Sequence, residues 1–163
     1  MLIGVVSDTH NNTNNISKII SLFKEKEVEL VVHTGDITNS KSLRMFSELD
    51  CNLVGVYGNN DRNEEGLQKT VLENNFLFQE PPHLITIKKK KIAIFHEPDE
   101  IDNFLSKNHD VDLILHGHTH RYRQENLNGT LIFNPGESAG LIKGKNAVGL
   151  INLKYLSAER IFF

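Results

Sequence analysis

Three apolar runs early in the chain, separated by segments of helical period, constrain its fold more than any other feature. Leu2–Ser7 is almost continuously apolar, and Glu29–Val32 and Leu53–Tyr57 read the same way. Strands apolar along their length, rather than alternating, are covered on both faces, as in a parallel sheet. Between the first two lie Ile16, Ile19, Ile20 and Phe23 at i, i+3, i+4 and i+7, behind an Asn/Thr-rich stretch that supplies an N-cap. Ser40 then starts a helix that turns Leu43, Phe46 and Leu49 inward. A βαβαβ order with right-handed crossovers sets the carboxyl ends of all three strands along one edge, where open α/β sheets bind ligands.

The second half changes character. Leu84–Lys88 and Lys91–Phe95 read as a hairpin, followed by a helix over Ile101–Lys107 and a strand over Asp112–Leu115. Asn128-Gly129 is a hairpin turn between Gln124–Leu127 and Thr130–Phe133, and Ala147–Leu153 and Arg160–Phe163 read as closing strands. Periodicity alone therefore gives an α/β fold with antiparallel additions. No repeat or linker is legible, so residues 1–163 are expected to form one domain.

Composition removes several function classes. A hydrophobic share of 39% with mixed charge fits a globular protein rather than a disordered one. The net charge of −3 gives no overall signature of nucleic-acid binding. Lys88-Lys89-Lys90-Lys91 reads as a solvated hairpin tip, because it lacks the interleaved aromatics of a stacking surface. No apolar stretch approaches the roughly 20 residues that span a bilayer, so no membrane partner is expected. Strand residues begin at Leu2, which leaves no room for a signal peptide, and the single Cys51 reads as a buried free thiol, so the expected location is cytoplasmic. Ile161-Phe162-Phe163 reads as a packed last strand, with a homo-oligomer contact left open.

The polar residues at the strand exits carry the chemistry. Asp8 and His10 sit in Ser7-Asp8-Thr9-His10, Asp36 in Gly35-Asp36 and Asn59 in Gly58-Asn59-Asn60-Asp61. His96 follows an apolar run, and His118 and His120 stand in Gly117-His118-Thr119-His120. Taken singly, Asp8 and His10 are an ordinary helix entry and Gly35-Asp36 an ordinary turn. Together the seven side chains are too many for one metal ion and suit two, with one ligand shared. Carboxylate, imidazole and amide donors without a thiolate argue against a structural zinc. Manganese is the first expectation, with iron, zinc, nickel, cobalt or magnesium as alternatives. Asp8 and Asp36 bring about two negative charges against four from two divalent ions, so a loaded site attracts phosphate. His118 and His120 are expected to alternate along an extended segment and point to one side. His116, His33, His83 and His109 read as structural or exposed.

In this order the motifs resemble the calcineurin-like metallophosphoesterases, and most closely their small bacterial and archaeal phosphodiesterases, whose relatives include a retromer subunit. The resemblance covers essentially the whole chain. It implies two packed mixed β-sheets flanked by helices, an α-β-β-α four-layer sandwich. It also implies one ion on Asp8, His10, Asp36 and His120 and another on Asp36, Asn59, His96 and His118, with Asp36 bridging. Catalysis then runs through the metals: a hydroxide bridging the ions attacks a small phosphate ester, most simply a diester. The alternatives are a protein-interaction scaffold on the same fold, a phosphomonoesterase or a nuclease. Three departures from the family pattern fall where substrate is gripped. Asn60 stands where many members have a His that protonates the leaving group, so no dedicated general acid is identified. His96-Glu97-Pro98 replaces a His-Gly-His pattern, and Glu137 intervenes between Asn134-Pro135-Gly136 and Ser138.

Overall fold

The structure is a computed structural model that describes residues 1–108 and 110–163. In chain order its elements are β1 (Leu2–Val6), α1 (Thr13–Glu25), β2 (Leu30–His33), α2 (Ser40–Met45) with a 3-10 turn at Phe46–Glu48, and β3 (Asn52–Val56). Next come α3 (Leu67–Glu73), β4 (Leu77–Gln79), β5 (His83–Ile87), β6 (Lys90–Ile94), α4 (Ile101–Lys107) and β7 (Leu113–Leu115). The chain closes with β8 (Arg123–Leu127), β9 (Thr130–Asn134), β10 (Ala147–Asn152) and β11 (Ser157–Phe162). One sheet runs β11-β10-β1-β2-β3-β4 and the other β5-β6-β7-β9-β8. β1 to β4 are parallel, with β10 antiparallel beside β1 and β11 antiparallel beside β10, so the first sheet is mixed. The second is also mixed, with parallel β6, β7 and β9 between antiparallel edges.

The strand faces explain the layering. Ile3, Val5, Val32, Val54 and Val56 turn one face of the first sheet onto Ile92, Ile94, Leu113, Leu115 and Phe133 of the second, which makes a dry seam between sheets. The opposite face of the first sheet takes Ile16, Ile19, Ile20 and Phe23 of α1, with Leu43, Phe46 and Leu67 beside them. Gly4 makes room for this helix, since a Cβ there would meet the Phe23 ring at 2.8 Å. Phe23 is 1% exposed, and cutting it to Ala should cost about 3–5 kcal/mol. On the outside of the second sheet, Ile101, Phe104 and Leu105 of α4 cover Ala93, Phe95, Ile114 and Ile132. The four-layer α-β-β-α sandwich is thus present.

Most elements fall where periodicity puts them, and the differences have physical causes. The helix from Ser40 turns 3-10 at Phe46 and stops at Leu49, whose ψ of 146° is extended, leaving Leu49 half-buried. α3 and β4 were not legible: α3 is capped by Gly66 without a side-chain hydrogen bond, and its Leu72 is 78% exposed. Cys51 is half-buried rather than buried and lies one residue before β3. Ile161 and Phe163 pack against the core, while Phe162 is 55% exposed. Among the described residues no helix is long and apolar enough to cross a membrane.

Candidate metal centre

β1, β2, β3, β6 and β7 all end on one edge, and the loops leaving them bring the seven candidate side chains together. On one side His120 Nε2 lies 3.4 Å from Asp8 Oδ1, and His10 Nε2 lies 3.9 Å from Asp36 Oδ2. On the other, Asn59 Oδ1 sits 2.9 Å from His96 Nε2 and 3.0 Å from His118 Nδ1. Asp36 stands between them, with Oδ1 3.4 Å from His96 Nε2. Donor atoms of Asp8, His10 and His120 fall within 4.8 Å of one another, as do those of Asp8, Asp36 and His96. Asp8, His10 and His120 are three of the four residues that the resemblance assigns to one ion, and Asp36 and His96 two of the four assigned to the other; the residue common to both groupings is Asp8 rather than Asp36.

The backbone here is unlike ordinary loop. Asp8, His10, Asp36, His118 and His120 have φ of 50°, 40°, 59°, 66° and 55°. Non-glycine residues avoid this left-handed region, at about 1–3 kcal/mol each, so the surrounding structure must enforce it. The expectation that His118 and His120 alternate along an extended strand is therefore corrected. They sit on a bend beyond β7, and reach opposite sides of the site because the chain turns there. Gly117 allows the bend to pass close, since a Cβ would fall 2.0 Å from Ser7 Oγ. A Cβ at Gly58 would fall 2.2 Å from Asp36 Oδ1.

The polar contacts fit a cation. Buried Asp8 Oδ1 and His10 Nε2 have no hydrogen-bond partner, whereas buried polar atoms are nearly always paired. His96 Nδ1 lies 2.8 Å from the Thr34 carbonyl and donates its proton there. That leaves Nε2 facing Asn59 Oδ1, His118 Nδ1 and Asp36 Oδ1 at 2.9, 3.3 and 3.4 Å. A His that donates its other N–H to a carbonyl is the usual support of a metal-binding imidazole. Burial works against charge on Asp8, but the contacts with His120 and Ser7 outweigh it and hold its carboxyl below the ordinary value. The same contact with Asp8 raises the His120 ring against the effect of burial.

Behind these side chains stand residues that motif reading did not select. The Asp61 carboxylate accepts from the backbone N–H groups of Asp36, Ile37, Thr38 and Gly58 at 2.7–2.9 Å, clipping the β2 exit to the β3 exit. Burial pushes its pKa up. His33 is fully buried and accepts from Gly35 N–H at 3.1 Å, which leaves its Nε2–H to bond Thr9 Oγ1 at 3.1 Å and tie the β1 and β2 exits. Asn134 donates to the Gly117 carbonyl and accepts from Gly136 N–H. Asp61 and Asn134 share the signal of a polar residue inside a motif at a strand exit, while His33 is the last residue of β2 and lies in no motif; what each holds is visible only once the loops meet. His116 is buried with its pKa lowered to about 4, and His33 to about 3, both chiefly by burial. His83 bonds the Gly55 carbonyl at 2.9 Å, so all three are structural, while His109 lies outside the described residues. Glu137 turns its buried carboxylate to the backbone N–H groups of Gly140, Leu141 and Ile142 and so shapes its own loop.

Comparison with known proteins gives the family. The chain is 31% identical over 156 residues to a phosphodiesterase of Methanocaldococcus jannaschii, covering 93% of each. A solved archaeal phosphodiesterase superposes with a TM-score of 0.91 at 29% identity, over 100% of both chains. Vps29 of Entamoeba histolytica shares the fold, with a TM-score of 0.69 at 17% identity over 99% of each chain. The calcineurin-like phosphoesterase superfamily domain matches residues 1–155, and the chain accordingly belongs to that superfamily and is a phosphoesterase.

Proposed function

We propose that this phosphoesterase is a phosphodiesterase that hydrolyses small phosphate esters, with residues 1–163 acting as one domain around a dinuclear metal centre. Asp8, His10, Asp36 and His120 hold one divalent ion, Asp36, Asn59, His96 and His118 hold the other, and manganese is the first expectation. The observation that carries this is the pair of buried atoms without a hydrogen-bond partner, Asp8 Oδ1 and His10 Nε2, on the edge where all seven candidate side chains meet. The diester preference rests on the similarity to the archaeal phosphodiesterases. When bound, two such ions supply Lewis acidity at the phosphoryl oxygens and a water-derived nucleophile at neutral pH.

The protein's own groups divide the remaining work. Asp8, Asp36 and His96 are buried beneath the site, whereas Asn59, Asn60 and His118 are exposed, so substrate reaches the centre from that side. The left-handed turns at Asp8, Asp36 and His118 fix donor directions before anything binds, so little reorganisation remains for the reaction itself.

The test is metal analysis of the purified protein and hydrolysis of aryl mono- and diesters with Mn²⁺, before and after chelation. Two ions per chain, a preference for diesters and reversible loss with chelator are expected. Asp36→Asn should reduce metal content and turnover together, by at least the roughly 10–100-fold that losing a supporting contact costs a metal site. Two ions and full turnover in Asp36→Asn would remove the dinuclear arrangement.

A further inference from the structure

The loop after β3 places a second residue on the carboxylate at the centre of the site. Asn60 Nδ2 donates to Asp36 Oδ2 at 2.7 Å, and Asn60 backbone N–H donates to Asp36 Oδ1 at 3.0 Å. Each Asp36 oxygen thus carries one bond from Asn60. A carboxylate offers about four lone-pair sites, so one further site per oxygen remains. Oδ1 turns it toward His96 and Oδ2 toward His10, at 3.4 and 3.9 Å.

We propose that Asn60 is a positioning residue that fixes the rotation of Asp36 and thereby sets the affinity of the site for its ions. This rests on the reading that Asp36 binds metal. The amide suits the task because it donates without bringing charge. A lysine or arginine would neutralise Asp36 and compete with the cation, and an acid would repel it. The clip at Asp61 makes the arrangement stiff: Asp61 N–H bonds the Gly58 carbonyl at 3.1 Å, and its carboxylate holds Asp36 N–H and Gly58 N–H at 2.8 Å. Donor and acceptor therefore sit on loops that move as one piece. Asn60 itself is exposed, so truncating it should act on the carboxylate and leave the fold largely alone.

The experiment is calorimetric titration of the metal-stripped full chain with Mn²⁺, for wild type, Asn60→Ala and Asn60→Leu. The second variant keeps the side chain's size without its donor. Thermal melts of the stripped proteins run alongside. Both variants should bind about 10–100-fold more weakly, with melting temperatures close to wild type. Unchanged affinity in both variants, beside a wild type that takes two ions, overturns this proposal alone. Weakened affinity accompanied by a large fall in melting temperature assigns the effect to folding and overturns it as well. A wild-type chain that takes up no Mn²⁺ overturns the metal reading first, and this proposal with it.

Discussion

Asn60 combines two facts at one position: its side-chain amide is spent on Asp36, and an amide has no proton to give at neutral pH. The motif therefore holds no side chain able to protonate a leaving alkoxide. General acid catalysis contributes about 10²–10⁴-fold, most for poor leaving groups. Aryl diesters should be turned over far faster than alkyl monoesters, with a steep dependence on leaving-group pKa that Asn60→His flattens. A flat dependence across a series of aryl diesters, with chemistry shown to limit the rate, would refute this. At this scale the sequence was legible where residue type and order matter, since all seven motif donors converge. It was silent where tertiary contact matters. Nothing in Asp61 or His33 as letters announces that one holds four backbone N–H groups or that the other spans two loops.

Among the elements, α1 and α4 were readable because each lays a periodic apolar stripe on a sheet, whereas α3 buries little more than Leu67, Thr70 and Val71 and starts at a glycine. The three-residue β4 lies at a sheet edge with Leu77 exposed, too short for alternation to register. The two hairpin turns make an informative contrast. Asn128 and Gly129 have φ of 52° and 93°, the positive pair that a tight hairpin turn of type I′ requires, and both residue types tolerate it. Lys88 and Lys89 adopt the same pair, at 47° and 67°, without that tolerance. Replacing them by Asn and Gly should therefore stabilise the protein by roughly 1 kcal/mol, with turnover unaltered. Urea denaturation of the double variant, showing no gain over wild type, would contradict it.

At the scale of the whole molecule, His33 and His116 are buried with pKa values lowered by that burial, and they contribute to its response to acid. His33 titrates in the fold at about 3 and His116 at about 4, against about 6.5 when unfolded. Below pH 6.5 the unfolded chain thus binds more protons, so this contribution is complete above that pH and is lost as pH falls toward 4 and below. Each histidine contributes a slope of about 1.4 kcal/mol per pH unit. Urea denaturation of the stripped protein at pH 7, 6 and 5 should show the decline, and His33→Gln should flatten it by about half. Equal slopes for the two proteins would count against the assignment. The left-handed backbone at His118 and His120 has a different bearing, on how such a protein changes over generations. Glycine has no Cβ to strain at those angles, so His118→Gly and His120→Gly should each leave the stripped chain about 1 kcal/mol more stable than the matching alanine. A lineage screened for heat tolerance alone would be drawn toward glycine there, shedding its donors while every strand stayed in register. On the ligand roles proposed for them, heat tolerance and metal binding pull in opposite directions at these two positions.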